Sequence, residues 1–285
     1  MNKKTSFPKR FLWGASTAAH QIEGGNHNQW SVWELENAKT LAAQADYQVQ
    51  DFPAWDRVRS DAKSPDNYVS GKATDHYRRY KEDFDLLEQM NMNAYRFSIE
   101  WSRIEPQEGV WDPEQVAHYK RYLAELKKRG IEPVVTLMHF TLPVWFADKG
   151  GWERRGNIKY FIRFVEKIMS ELGNSVRYII TINEPEVYGF CSYKIHEWPP
   201  AKRNTLLAMK VIYHQTVAHR RAAKTLKRIN PRFKIGIAKN SVFMYPGDDS
   251  WVSRISARVA QFLQDDLWLT RVAKSSDFMG LNYYM

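Results

Sequence analysis

Short apolar runs alternate along the chain with longer segments whose apolar residues recur every three or four positions. Short runs rich in β-branched residues are typical of strands buried on both faces, and a spacing of three to four residues is typical of helices that pack on one side. Strands are predicted at 11–19, 93–99, 132–138, 177–183, 234–238 and 277–284. Helices are predicted at 74–90, 112–130, 157–173, 205–229 and 253–273.

The helix predicted at 112–130 has a signal at each end. Asp112 is a typical N-cap, Pro113 suits the first turn, and Gly130 allows a left-handed exit from the helix. Residues 26–71 contrast with it, because they mix polar residues with Trp30 and Trp33 and show no clear period. We therefore expect a long loop over about 25–73, following the first strand.

Strands separated by amphipathic helices predict parallel βαβ units. Both a doubly wound open sheet and a (β/α) barrel satisfy this alternation. No Gly-x-Gly-x-x-Gly or Walker-type loop follows any strand, and polar residues stand at or just beyond several strand ends. These residues are Gln21, His139, Asn183, Glu184 and Asn282. Polar groups distributed around a ring favour the barrel, as a single α/β domain over 1–285.

The composition limits the classes of protein to which the chain can belong. The chain has 285 residues, of which 44% are hydrophobic, which suffices for a large core. Its N-terminal residues resemble neither a signal peptide nor a membrane anchor, and the single cysteine, Cys191, fits a reducing compartment, so we expect a cytoplasmic protein without a membrane partner. Nothing in the sequence indicates a cofactor or a metal.

The net charge of +10 raises the question of an acidic or nucleic-acid partner. Most lysines and arginines fall on predicted helices, as at 120–129 and 220–228, which favours solvated helix surface over a nucleic-acid groove. We therefore expect no nucleic-acid partner.

Two charged residues, one directly after a predicted strand and one within another, suggest chemistry. Glu184 directly follows a buried strand, where it is either a proton donor or nucleophile, or a turn carboxylate before Pro185. Arg96 interrupts the second strand, so it either pairs in a site or belongs to a structural ion pair. The local spacing leaves both alternatives open.

Five segments stand out, in chain order: FLWGASTAAHQIEG at 11–24, YRFSIEWSRI at 95–104, the segment 136–143, TINEP at 181–185 and GLNYY at 280–284. Together they resemble the motifs of glycoside hydrolase family 1, the β-glucosidase family. The resemblance implies a (β/α)₈ TIM barrel and retaining hydrolysis of β-glycosides, with a β-linked saccharide or β-glucoside as substrate. Strands one to six and their helices match this barrel, and no match to units seven and eight occurs in these residues, so we expect an incomplete barrel.

The resemblance also implies roles for individual residues. Glu184 matches the general acid/base, and Gln21, His139 and Asn183 match residues that bind sugar hydroxyls. Three further residues match the support of the nucleophile: Arg96, Asn282 and Tyr284.

Other interpretations remain for some residues near these motifs. His139 is alternatively a hydrogen-bonded core histidine, and core packing is at least as well supported for Trp145 and Trp152. Glu100 also lies near a strand end, but the family gives it no chemical role.

The nucleophile itself is missing. Retaining hydrolysis needs a second carboxylate about 5 Å from the acid, and the family supplies it in a Thr-Glu-Asn-Gly-like motif after strand seven. No such motif occurs in these 285 residues, so we expect the isolated chain to be inactive.

An arc of six strands exposes unpaired edges, which implies a covering partner. The leading hypothesis is a short second polypeptide, acidic to complement the net charge, which supplies strands seven and eight and the nucleophilic Glu. The alternative is a non-catalytic relic that binds sugar or self-associates as a homodimer. A cut fragment of an ordinary enzyme is a third explanation.

Overall fold

The apolar runs form strands, and the strands join into one parallel sheet in the order β1 to β6. A computed structural model of the protein describes residues 6–49 and 52–284. The strands are β1 Gly14–Ser16, β2 Ala94–Ser98, β3 Glu132–Thr136, β4 Tyr178–Asn183, β5 Lys234–Asn240 and β6 Phe278–Asn282. Every neighbouring pair is parallel, which confirms the predicted arc of six (β/α)₈-type units.

Helices connect the strands. In chain order they are α1 Ala19–Ile22, α2 Gln29–Ala43, α3 Ala45–Val49, α4 Trp55–Ala62, α5 His76–Gln89, α6 Trp101–Ile104, α7 Pro113–Lys128, α8 Val144–Asp148, α9 Ile158–Leu172, α10 Pro185–Tyr193, α11 Thr205–Ile229, α12 Trp251–Gln261 and α13 Leu267–Ala273. A π-helical turn, Phe262–Asp266, joins α12 to α13. None of the helices in the described residues is long and apolar enough to cross a membrane.

Helix α7 confirms the predicted end signals. The Asp112 side chain accepts hydrogen bonds from the backbone N–H groups of Glu114, at 2.9 Å, and Gln115, at 3.3 Å. Pro113 opens the helix, and Gly130 beyond its end has a φ of 67°. The cap therefore satisfies amides that the helix itself leaves unpaired.

The loop predicted over 25–73 is wrong in part, because this connection contains α2, α3 and α4 and a 3₁₀ turn, Pro65–Tyr68. The apolar residues of α2 do not form one stripe, so periodicity did not reveal the helix. A capping box starts it instead: the Asn28 side chain accepts from the N–H of Ser31, and the Ser31 hydroxyl accepts from the N–H of Asn28.

The two ends of the arc are uncovered. In the described part of the chain, β1 pairs only with β2 and β6 only with β5. Helix α12 buries none of its residues, and large apolar side chains remain exposed on it, on the π-helical turn that follows it and on β6. They include Trp251, Ile255, Val259, Phe262 and Leu281. This exposure matches the expectation that six units leave an open barrel.

Candidate active site

The carboxyl end of β4 delivers the central residue of the site. Asn183 and Glu184 are buried, with 1% and 5% of their surface exposed. The N–H of Asn183 donates to the Met138 carbonyl at 2.9 Å, and the N–H of Glu184 donates to the Ala238 carbonyl at 2.8 Å. Neighbouring strands on both sides thus hold the backbone from which the Glu184 carboxylate extends.

The backbone bends sharply at this point. Glu184 adopts a left-handed conformation, with φ 44° and ψ 65°, which is uncommon outside glycine. Just before it, Ile180 pairs with Gly236 and Asn183 pairs with Ala238, so β4 has one residue more than β5 over this interval. Such a bulge re-aims side chains and is frequent beside active sites.

Four of the predicted site residues form one network. The Arg96 guanidinium donates to the Asn183 side-chain oxygen, and it donates to the Asn282 oxygen at 3.3 Å. The Asn282 amide nitrogen in turn donates to the Glu184 carboxylate at 2.5 Å and to the Asn183 oxygen at 3.2 Å. Strands β2, β4 and β6, which are far apart in sequence, therefore meet around the Glu184 carboxylate.

Arg96 is a cation with little compensation. Its third contact is neutral, from Nε to the Thr136 hydroxyl at 3.1 Å. Burial lowers the pKa of Arg96, although the nearby Glu184 and Tyr284 oppose that shift. Among the described residues no carboxylate oxygen lies within 4.0 Å of its nitrogens, so Arg96 makes no structural ion pair there.

His139 follows β3 and faces the same region. Burial, reinforced by the charge of Arg96, lowers the pKa of His139 to about 3, which keeps its imidazole neutral. Its Nδ1 atom is buried and has no hydrogen-bond partner in the described residues. A buried nitrogen without a partner does not fit the alternative of a hydrogen-bonded core histidine.

Two predicted residues stay outside the network. Gln21 is exposed at the end of α1, and Tyr284 after β6 is 73% exposed. Within the described part of the protein, neither side chain forms a hydrogen bond with Arg96, Asn183 or Glu184. Both lie at the uncovered ends of the arc.

Three other residues that the sequence placed near the site have structural contacts. Trp152 is fully buried in the core, and the Trp145 indole donates to the Glu105 carbonyl at 2.9 Å. The Glu100 carboxylate accepts from the Ser102 and Thr141 hydroxyls, which satisfies it within the protein.

A buried charge cluster next to Glu184 was missed by the sequence analysis. Lys239 near the end of β5 lies 2.5 Å from the Asp265 carboxylate and 3.5 Å from the Glu186 carboxylate. Burial raises the pKa of Glu186 to about 7, although Lys239 acts in the opposite direction. The sequence offers one signal, a lysine directly after an apolar predicted strand. Its partners, Glu186 and Asp265, lie far from it in sequence, on other elements.

The strand ends are the place where these polar groups converge. A cavity of about 870 Å³ lies elsewhere, in the connection between β1 and β2, and its lining includes Glu34, Tyr77 and Arg103 but no predicted site residue. In the described ranges no group of three or more His, Cys, Asp or Glu side chains is arranged to hold a metal ion. The candidate chemistry is therefore that of one carboxylic acid among amide, guanidinium and imidazole groups.

Comparison with known proteins points the same way. The family model described as glycosyl hydrolase family 1 matches residues 3–273. Beta-glucosidase A from Acetivibrio thermocellus is 33% identical over an alignment that covers 86% of this chain and 51% of that protein.

Solved structures share the fold. A beta-glycosidase from Pyrococcus horikoshii is 34% identical with a TM-score of 0.83, over 98% of this chain and 62% of that one. The beta-glucosidase from Thermotoga maritima in complex with glucoimidazole is 27% identical with a TM-score of 0.77, over 98% and 66%. The chain thus spans about half to two thirds of the length of these relatives.

Proposed function

Because the chain belongs to glycosyl hydrolase family 1, we propose that it carries the acid/base part of a retaining β-glycosidase site. Residues 1–285 are one incomplete barrel domain, which hydrolyses β-glucosides when two further βα units complete it. The isolated chain lacks the nucleophile and is inactive.

The observation that carries this proposal is that Glu184 stands beside Arg96, a cation that makes no ion pair within the described residues. A carboxylic acid is held at the end of β4, and the half-buried guanidinium beside it has only amide and hydroxyl hydrogen-bond partners among the described residues. A buried cation is stabilised by a carboxylate, and retaining hydrolysis requires a second carboxylate close to the acid. We therefore infer that the nucleophile belongs beside Arg96.

The reaction assigns a role to each group. Glu184 donates its proton to the glycosidic oxygen while the nucleophile attacks the anomeric carbon from the opposite face, about 5 Å away from the acid. Glu184 then removes a proton from the water that hydrolyses the glycosyl-enzyme. Asn183, Gln21 and the neutral imidazole of His139 bind sugar hydroxyls.

The substrate class rests on the relatives. Several relatives are described as beta-glucosidases, and one solved structure is the Thermotoga maritima beta-glucosidase in complex with glucoimidazole. A β-linked saccharide or β-glucoside is the substrate that we propose for this chain. The single cysteine, Cys191, is free, and we place the protein in the cytoplasm.

The missing units come, in this proposal, from a short second polypeptide. It adds strands seven and eight beside the open edges of β1 and β6, and it is acidic to complement the net charge of +10. The exposed apolar side chains of α12 and β6 also support the alternative of a self-associating, non-catalytic homodimer.

Adding a peptide that contains the missing units to the purified chain tests the proposal. We expect β-glucosidase activity to appear, and Glu184→Gln to lower it about 100-fold or more on substrates with poor leaving groups, which need an acid. Glu171→Gln, which removes a surface carboxylate of α9, is the matched control. Full activity of Glu184→Gln on poor leaving groups contradicts the acid/base assignment.

Native mass spectrometry and hydrogen exchange separate the assembly models. A one-to-one complex with slow exchange at β1 and β6 supports completion by the second polypeptide. A homodimer without hydrolytic activity, in which these edges are already protected, favours the alternative.

A further inference from the structure

The turn that carries Glu184 needs support from outside its own segment. A residue other than glycine at φ 44° persists only when its surroundings hold it there. Strand β4 ends at Asn183, so regular pairing with β5 ends there too. The support must therefore come from contacts beyond the strand.

Two hydrogen bonds supply a clamp between this turn and β5. The N–H of Glu184 donates to the Ala238 carbonyl at 2.8 Å, and the N–H of Asn240 donates to the Glu186 carboxylate at 2.6 Å. In a parallel pair, alternate residues of one strand bond to the backbone of the other. The side chain of Glu186 thus replaces the backbone acceptor that β4 would have offered had it continued.

Buried charges hold Glu186 in this position. The side chains of Lys239, Glu186 and Asp265 are exposed by only 3%, 8% and 6%. The Lys239 ammonium bridges the two carboxylates and also donates to the Asn240 carbonyl at 2.8 Å. The side chains of Lys239 and Glu186 therefore both bond the backbone of Asn240, at the end of β5.

Asp265 extends the clamp to the next helical unit. It lies in the π-helical turn between α12 and α13, and it accepts from the Ser241 hydroxyl at 3.0 Å and the Gln261 amide at 2.5 Å. A π turn inside a long helix is frequently found at functional sites. The end of β5 is thereby fixed from both sides.

We propose that Glu186 is a positioning residue for Glu184. Its carboxyl oxygen, held by Lys239, fixes the end of β5 and through Ala238 the backbone from which the acid/base side chain extends. The importance of that position for catalysis rests on the proposed function, whereas the clamp itself does not.

Amide hydrogen exchange of the isolated chain, followed by NMR, tests the clamp without any activity. Glu186→Leu removes the acceptor, and we expect exchange at Glu184 and Asn240 to accelerate about tenfold or more while β2 stays protected. Glu186→Gln keeps a carbonyl acceptor and should stay within about threefold of the wild type. Glu171→Leu on α9 is the control and should change neither amide.

Two results overturn the proposal: unchanged exchange at Glu184 in Glu186→Leu, or a loss of protection in Glu186→Gln as large as in the leucine variant. If Glu186→Leu does not fold, the glutamine variant decides. A coupling across the hydrogen bond from the Asn240 nitrogen to the Gln side-chain carbonyl supports the clamp, and its absence together with fast exchange at Glu184 refutes it.

Kinetics in the completed barrel give a second readout. A misplaced acid slows substrates with poor leaving groups more than activated ones, whereas partial unfolding slows all substrates equally. We expect Glu186→Leu to show the first pattern and Glu186→Gln to restore the wild-type ratio. If the completed wild-type protein shows no activity, the proposed function fails, and the exchange data still decide the clamp.

Discussion

Helices α9 and α12 have similar amphipathic patterns, but the apolar side of α9 is buried and that of α12 is exposed. Helix α9 buries its apolar side against the core and α11. Its buried residues are Ile158, Phe161, Phe164, Val165, Ile168, Met169 and Leu172. Helix α12 has an apolar stripe that includes Ile255 and Val259, yet none of its residues is buried. An apolar stripe predicts that a helix has a packing side, but only a neighbouring element makes that side buried.

The same contrast divides the candidate site. Arg96, Asn183 and Glu184 lie on β2 and at the end of β4, inside the closed part of the arc. Asn282 and Tyr284 lie on or beyond β6, at the open end, and Tyr284 is 73% exposed. The first three residues therefore lie where the protein's own core packs around them, whereas Tyr284 lies at an edge that no described strand covers.

Phe161→Ala should show the largest effect. This ring is fully buried in α9 beside Trp101 and Trp152. We expect the free energy of unfolding to fall by about 3–5 kcal/mol, because the change removes buried surface and leaves a cavity. Urea unfolding measures it. A loss below about 1 kcal/mol would show that the closed region is no better packed than α12.

His118 in α7 should give the closed region a dependence on pH. Burial lowers its pKa to about 4 from the ordinary 6.5, so the unfolded chain binds a proton below pH 6.5 and the folded one does not. This contribution to stability is complete above pH 6.5 and is lost as the pH falls toward 4.

The variant His118→Phe keeps the stacking on Tyr77 and removes the titration. Between pH 7 and pH 5 the wild type should therefore lose about 2 kcal/mol more stability than the variant. Urea unfolding at the two pH values checks the difference. Parallel losses in both proteins would refute the lowered pKa.

The two helix caps sharpen the comparison. Asp112→Ala removes the cap of α7 and should reduce global stability by about 1 kcal/mol. Ser250 caps α12 through the N–H of Ser253, and Ser250→Ala should only fray that helix, with a global change below about 0.5 kcal/mol. Hydrogen exchange distinguishes local fraying from global unfolding. Equal global losses would show that α12 folds as part of the core.

Ile255→Lys should have the smallest effect on stability, within about 0.5 kcal/mol, because the side chain is half exposed. Its expected effect is on association: analytical ultracentrifugation should show less self-association if the α12 stripe joins copies of the chain. Association that is unchanged would remove α12 from any homodimer interface.

Local signals explain which parts of the fold were predictable. The apolar strand β4 and the capped helix α7 each carry their information within a few neighbouring residues. Helix α2 was missed because a capping box, and not a hydrophobic stripe, marks its start.

The candidate site was predictable only where a motif marks it. The resemblance placed Glu184 and Asn183, and the geometry brings them together with Arg96 and Asn282. The Lys239 cluster was not predicted because its residues lie on three elements that only the tertiary fold brings into contact. Gln21 and Tyr284 remain outside the network, and both are exposed at the uncovered ends of the arc.

The left-handed backbone at Glu184 has a consequence for how sequence changes at this position would be tolerated. Glycine adopts φ 44° readily, whereas glutamate must be forced into it, so the fold alone would favour Glu184→Gly. At position 184, the residue that favours stability is therefore not the residue that the proposed chemistry requires. A library of variants sorted only for folded protein should enrich glycine there, and one sorted for hydrolysis in the completed barrel should retain glutamate.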